Sequence, residues 1–265
     1  MSSLISRIVV AAAGLPLVLG AAYLGGWFLF ALAAAAALVA LHELYRLARP
    51  LRPLVLAGYA GAVTALVGAE LGGGEWMLAG FLVTFPLAFL FAAIAETRQS
   101  TTVAVATTVL GAAWVGFGLG HLVLIRELDQ VGVEAVLTVL VTVFAIDTFA
   151  YAGGRLAGRH RMTPVMSPNK TWEGFVFGAL AGILTAFFAL YASEDYGSWR
   201  GLVLGAALVA AATIGDLFES LVKRDLGAKD TGRLLREHGG VLDRIDSLLF
   251  AGPAAYYVLV ALGSA

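Results

Sequence analysis

The chain has 265 residues and a formal net charge of −1; 60% of it is hydrophobic and only 13% is charged, with a mean hydropathy of +0.88. Soluble domains are about 45–50% apolar and about 25% charged, so this composition excludes a water-soluble globule and predicts an integral membrane protein. The near-zero net charge gives no overall positive electrostatic potential that would attract nucleic acid. The absence of cysteine excludes disulfides, thiolate catalysis and Cys-ligated zinc.

Apolar stretches long enough to cross a bilayer recur along the whole chain. The hydrocarbon core requires roughly 20 apolar residues per helix. The sequence therefore predicts an all-α polytopic fold with about nine transmembrane helices, at residues 8–24, 27–45, 54–72, 76–95, 102–125, 133–152, 174–192, 200–222 and 247–264. We expect one membrane domain over 1–265, in which 1–130 is mainly scaffold and 131–265 carries the functional motifs.

The basic residues between these stretches predict the orientation of the chain. If the N-terminus is cytoplasmic, 15 of the 17 Lys and Arg residues fall on the cytoplasmic side, and only Arg126 and Arg200 fall outside. Cytoplasmic loops of membrane proteins carry an excess of Lys and Arg. We therefore expect a multi-pass protein of the cell membrane with a cytoplasmic N-terminus and an external C-terminus.

One predicted helix face combines carboxylates with a lysine. Asp216, Glu219, Ser220 and Lys223 are spaced at i, i+3, i+4 and i+7, so they share one face of the eighth stretch. Asp216 lies within the apolar stretch, and Asp147 lies near the cytoplasmic end of the sixth. Carboxylates that lie within a membrane-spanning segment usually face a cavity, a partner or an ion.

Further charged and flexible residues lie in two cytoplasmic stretches, 153–173 and 223–246. Asp243 and Asp246 flank Arg244 at the start of the last span, close in sequence to basic residues of the second stretch. Magnesium prefers a few carboxylates together with phosphate oxygens, and Lys and Arg neutralise the remaining phosphate charge. Gly239-Gly240 permits close approach of the backbone to a ligand, and Ser167-Pro168-Asn169 is expected to leave free N–H groups at a helix start. These patterns predict metal-assisted chemistry on a phosphate.

Two motifs resemble those of a known family. The run Ser220-x-x-Lys223-Arg224, followed by Lys229-Asp230-x-Gly232 and then His-Gly-Gly-x-x-Asp-Arg-x-Asp at 238–246, closely resembles the signature of phosphatidate cytidylyltransferases (CDP-diacylglycerol synthases). The segment Ser-Pro-Asn-Lys-Thr-Trp-Glu-Gly at 167–174 resembles the family's second cytoplasmic motif, and Asp147 with Tyr151 precedes it. One departure is Arg236-Glu237, where the family usually has Pro-Gly.

The resemblance implies transfer of a cytidylyl group from CTP to phosphatidate in the cytoplasmic leaflet, giving CDP-diacylglycerol and pyrophosphate. It also implies a homodimer and a Mg²⁺ site that includes Asp216 and Asp243, with a second, monovalent cation such as K⁺ as an option. Catalytic roles are expected for Lys223, Arg224, Asp230 and Asp246. Substrate-binding roles are expected for Ser167, Asn169, Lys170, Thr171, Ser220, Lys229, His238, Gly239, Gly240, Arg244 and Asp147.

Other interpretations of the same residues remain open. Intramembrane Asp147 and Asp216 also fit an ion- or proton-coupled transporter, although the charges lie towards one membrane face and no inverted repeat is detectable. Lys223 and Arg224 also fit basic anchors at a helix end. His42 and Glu43, at the end of the second stretch, are expected to be structural interface residues.

Overall fold

The computed structural model describes residues 3–95, 100–129, 131–191, 193, 197–232 and 239–263, without the side chains of 3–13 and 197–198. These residues are almost entirely helical, with one short β-hairpin. The chain divides into two compact units. One unit comprises Met1–Glu127 and Leu226–Ile245, and the other comprises Leu128–Asp225 and Asp246–Ala265.

The described part of the first unit contains six complete α-helices that share an apolar core. The core includes Tyr45, whose hydroxyl donates a hydrogen bond to the backbone oxygen of Thr108 at 2.7 Å. Gly58 and Gly111 lie against the Tyr45 ring, where a Cβ has no room. The helices are α1 (Ser3–Leu24), α2 (Gly26–Leu47), α3 (Val55–Leu82), α4 (Thr84–Ile94), α5 (Thr101–Gly111) and α6 (Gly118–Arg126), with a 3₁₀ turn at Arg49–Leu51 and a π-helix at Ala112–Phe117.

Helix α3 is interrupted at Gly73, where the chain turns back on itself. Gly73 has φ 75° and ψ −159°, a conformation that glycine adopts readily. The Thr64 hydroxyl donates to the backbone oxygen of Gly80 at 2.7 Å, and Gly68 lies against the backbone of Trp76. Since these residues meet across the break, the two arms pack side by side. The break falls in the gap between the expected stretches 54–72 and 76–95.

The second unit is built on close packing of α7 (Gly132–Ala157) against α8 (Trp172–Leu190), which in turn packs against α9 (Gly197–Asp225). Gly174, Gly178 and Gly182 recur every fourth residue of α8 and lie directly against Ala150 and Ile146 of α7. Small residues at this spacing allow helix backbones in membranes to approach closely. The hairpin strands β1 (Arg161–Thr163) and β2 (Ser167–Thr171) join α7 to α8, and α10 (Leu242–Ala261) contributes its residues from Asp246 onward.

The length and apolarity of the helices confirm an all-α, polytopic membrane protein. Six helical segments among the described residues are long and apolar enough to cross a bilayer. They are Gly26–Leu47, Val55–Ile94, Thr101–Arg126, Gly132–Ala157, Trp172–Leu190 and Trp199–Asp225.

Candidate active site

Three carboxylates of the second unit converge and define what we call the acidic cluster: Asp216 and Glu219 on α9, and Asp246 on α10. Ligand oxygens of the three side chains lie within 4.8 Å of one another. Glu219 is only 1% exposed and Asp246 only 8%. Because like charges repel strongly when they are removed from water, positive charge nearby stabilises the ionised form of such a cluster.

Two lysines supply part of that charge. Lys170 Nζ of β2 lies 2.6 Å from Asp216 Oδ2, and Lys223 Nζ lies 2.5 Å from Glu219 Oε2. Both lysine side chains are largely shielded from solvent, with exposures of 23% and 14%. Partly buried ion pairs are stronger than exposed ones because water screens them less.

A fourth carboxylate, Asp147 of α7, adjoins the cluster through Ser247. The Ser247 hydroxyl donates to Asp147 Oδ1 at 3.4 Å, and the Ser247 backbone N–H donates to Asp246 Oδ1 at 2.7 Å. The region therefore combines four carboxylates with two ammonium groups. Carboxylate oxygens are the ligands that Mg²⁺ prefers, so this donor set, with its excess of negative charge, fits the expected metal.

The hairpin that carries Lys170 is held in place at two points. The Glu173 carboxylate accepts hydrogen bonds from the backbone N–H groups of Arg159 and His160, and lies 2.6 Å from His160 Nδ1. Arg224 Nε donates to the backbone oxygen of Met166 at 3.3 Å, which joins α9 to the hairpin turn. These contacts fix β2 and thereby the position of Lys170.

The structure corrects the expectation that Ser167-Pro168-Asn169 begins a helix. These residues lie in β2, and α8 begins only at Trp172. Thr171 is the N-cap, and its hydroxyl accepts a hydrogen bond from the Gly174 N–H at 3.1 Å. The helix begins there because a threonine oxygen satisfies an N–H group that lacks a partner within the helix. Asn169 is exposed, whereas Ser167 and Ser220 are half-buried.

The rest of the signature lies in the first unit and forms what we call the signature loop, Thr231–Gly232 and Gly239–Asp243. The Asp243 carboxylate accepts hydrogen bonds from the Gly240 N–H at 2.7 Å, the Thr231 N–H at 3.0 Å and the Thr231 hydroxyl at 2.9 Å. Gly239 has φ 77°, a left-handed conformation that favours glycine. Lys229, Asp230 and Arg244 are exposed, and His238 lies outside the described residues.

The structure thus brings together Asp147, Lys170, Asp216, Lys223 and Asp246 in one unit, and Gly239, Gly240 and Asp243 in the other. The sequence alone assigned no role to Glu219, which belongs to the acidic cluster, or to Thr231, which belongs to the signature loop. Glu219 was detectable, since it lies one turn from Asp216 on the predicted polar face. Thr231 could not be identified from the sequence, because only the folded loop shows that it contacts Asp243.

Apolar helices long enough to cross a bilayer, with carboxylates that pair with Lys170 of β2 and Lys223 of α9, define a polytopic membrane protein with a site suited to a metal ion and a polyanion. Comparison with known sequences gives the particular family. The profile of the cytidylyltransferase family matches residues 5–262. This match covers nearly the whole sequence, so the chain belongs to the cytidylyltransferase family.

Individual relatives are similar over shorter regions. Phosphatidate cytidylyltransferase of Mycobacterium bovis is 46% identical over 131 residues, which are 48% of this chain and 42% of the relative. A phosphatidate cytidylyltransferase of Staphylococcus epidermidis is 35% identical over 192 residues, 71% of this chain and 72% of the relative. The matched region thus spans less than half of the mycobacterial relative and nearly three quarters of the staphylococcal one. These similarities give no support to the transporter alternative.

Proposed function

We propose that the protein transfers a cytidylyl group from CTP to phosphatidate, giving CDP-diacylglycerol and pyrophosphate. Membership of the cytidylyltransferase family gives the reaction class, and the printed names of its relatives suggest the lipid substrate. The observation that carries the proposal is the acidic cluster with its two paired lysines. A transfer between two polyanions requires both metal-binding carboxylates and fixed positive charge.

The proposed reaction requires little acid–base catalysis. A phosphomonoester has a second pKa near 6, so most of the phosphatidate is dianionic at neutral pH and is already a nucleophile. Its oxygen attacks the α-phosphorus of CTP, the bond from that phosphorus to the bridging oxygen breaks, and pyrophosphate leaves with the electron pair. The main obstacle is repulsion between the two substrates. Lys170, Lys223 and Arg224 lower it and hold the phosphates in line.

We further propose that Asp216, Glu219 and Asp246 hold Mg²⁺. A bound magnesium ion would neutralise charge on the phosphate oxygens. Asp243, the other ligand expected from the sequence, is oriented by Thr231 and Gly240 and stays a proposed ligand, as does the additional monovalent cation. Lys229 and Arg244, both exposed, stay proposed contacts of the substrate phosphates, and Asp230, also exposed, stays a proposed catalytic residue.

The proposed topology has nine crossings with a cytoplasmic N-terminus. The interruption at Gly73 supports it, because it divides Val55–Ile94 into two arms. The positions of 15 of the 17 basic residues support the orientation. Phosphatidate would keep its acyl chains in the cytoplasmic leaflet, since removing them to water costs about 0.8 kcal/mol per CH₂. Reporter fusions after residue 265 should behave as external, and cytoplasmic behaviour would refute this topology. We also propose a homodimer, which mass measurement in detergent would test.

The reaction is tested with CTP labelled at different phosphates. Purified protein in detergent is mixed with phosphatidate, Mg²⁺ and CTP that carries ³²P at either the α or the γ position. The proposal predicts lipid-soluble label only from the α position, with label from the γ position recovered as pyrophosphate. No incorporation into lipid with phosphatidate present, or incorporation of the γ label, would refute it.

A further inference from the structure

Glu43, near the cytoplasmic end predicted for α2, is a buried acid of the first unit whose carboxylate contacts the signature loop. It is only 5% exposed. Its Oε2 accepts a hydrogen bond from the Leu242 N–H at 2.9 Å and lies 3.4 Å from the Thr231 hydroxyl. The contact joins residues far apart in sequence, and the sequence alone favoured a purely structural interface at this position.

The Leu242 hydrogen bond fixes where α10 begins. Leu242 is the first residue of α10, and the first N–H groups of a helix have no acceptor within that helix. Glu43 supplies the acceptor from a different helix. Because Asp243 is the next residue, fixing the Leu242 N–H also restricts where the Asp243 carboxylate can point.

The loop is shaped around the Glu43 carboxylate. A Cβ on Gly232 would lie 2.6 Å from Glu43 Oε1, and a Cβ on Gly240 would also meet this carboxylate. Both glycines of the motif are therefore required for close approach to Glu43. The Thr231 hydroxyl lies between Glu43 and Asp243 and is closer to Asp243, at 2.9 Å. Among the described residues Glu43 forms no ion pair with Lys or Arg, so its carboxylate serves backbone and hydroxyl donors of the loop.

We propose that Glu43 is a positioning residue, which holds the signature loop on α2 and thereby orients Asp243 for the cytidylyl transfer. This inference rests on the proposed function for its catalytic consequence, but the holding of the loop can be measured without any activity. Groups that orient the ligands of a metal site typically contribute about 10–100-fold to affinity or activity. We expect Glu43→Ala to lower kcat/KM for CTP by about the same factor.

The structural part is tested by hydrogen–deuterium exchange of the full-length protein in detergent. Glu43→Ala should speed exchange in the peptides that contain Thr231 and Leu242. Glu43→Gln should give an intermediate rate, because its amide oxygen can still accept from Leu242. The matched control is Glu70→Gln, another acid of the first unit, whose carboxylate lies beside Gly26 at the start of α2, and it should leave these peptides unchanged. Unchanged exchange in both Glu43 variants would overturn the proposal.

The catalytic part is tested by a double-mutant cycle with Asp243→Asn. If Glu43 acts through Asp243, replacing Asp243 should matter less once Glu43 has been replaced. The fold-reduction in kcat/KM caused by Asp243→Asn should be at least ten times smaller in the Glu43→Ala background than in the wild type. A fold-reduction by Asp243→Asn that is equal in both backgrounds would overturn the positioning role. If Glu43→Ala does not fold, the cycle is run with Glu43→Gln. An inactive wild type would refute the proposed function instead, and the exchange rates would still decide whether Glu43 holds the loop.

Discussion

The Lys170 ammonium lies 2.6 Å from the Asp216 carboxylate, so the hairpin and α9 meet in an ion pair at the edge of the acidic cluster. The hairpin supplies the cation and α9 supplies the anion, which makes the position of Lys170 dependent on how the hairpin is held. The motif at 167–174 and the polar face of α9 are thereby joined at one site.

Lys170→Ala should weaken the use of CTP in a way that added magnesium does not restore. The substitution removes a phosphate-neutralising ammonium but no metal ligand, and a charge-assisted contact contributes about 1.5–3 kcal/mol. We expect kcat/KM for CTP to fall about 10- to 100-fold, measured from the initial rate of CDP-diacylglycerol formation across a magnesium titration. Arg49→Gln, which removes an exposed basic residue of the first unit, should have no such effect. Recovery of the wild-type rate at high magnesium would contradict this role for Lys170.

Glu173→Gln should loosen the hairpin. The carboxylate holds the N–H groups of Arg159 and His160, and the amide offers one acceptor oxygen in place of two. We expect faster tryptic cleavage after Arg159 or Arg161 in detergent, together with a lower rate of cytidylyl transfer. Glu134→Gln, which alters a contact with Ser193 elsewhere in the second unit, should leave hairpin cleavage unchanged. Equal cleavage rates for Glu173→Gln and wild type would show that Glu173 does not hold the hairpin.

Gly178→Val should destabilise the second unit. A Cβ at Gly178 would lie 2.8 Å from the Ile146 backbone oxygen and 2.9 Å from Ala150 Cβ, so α7 and α8 would have to separate. Overpacking of this kind costs about 1–3 kcal/mol, which should lower the Tm in detergent. The control is Gly20→Ala on α1, where the added Cβ meets no atom within 4 Å and the Tm should be maintained. A Tm unchanged by Gly178→Val would contradict the close packing of α7 on α8.

Sequence patterns predict the membrane class and much of the second unit. Apolar length predicts helices because a bilayer leaves backbone groups no other partners, and helical spacing places Asp216, Glu219 and Lys223 on one face. The hairpin at 161–171 was not predicted. Strands of three and five residues are too short for an alternating pattern to develop, and Ser167-Pro168-Asn169 suggests a helix start equally well.

The contacts of Glu43 and Asp243 could not be predicted from the sequence. Spacing rules apply within one helix or strand, whereas Glu43 meets Leu242 across almost two hundred residues. A buried acid near the end of an apolar helix fits an interface residue until the groups that donate hydrogen bonds to it are known. The same limit applies to Asp246, because nothing local indicates that its carboxylate lies beside those of Asp216 and Glu219.

The proposed role of the acidic cluster in magnesium-dependent cytidylyl transfer is tested by the rate of CDP-diacylglycerol formation by Asp216→Asn and Asp246→Asn at saturating magnesium. Each substitution keeps the side-chain shape but removes a charge that attracts Mg²⁺. The rate should fall about a thousandfold in both variants, while Glu75→Gln, an exposed acid of the first unit, keeps the wild-type rate. Near wild-type rates in both variants would show that the acidic cluster does not carry the reaction.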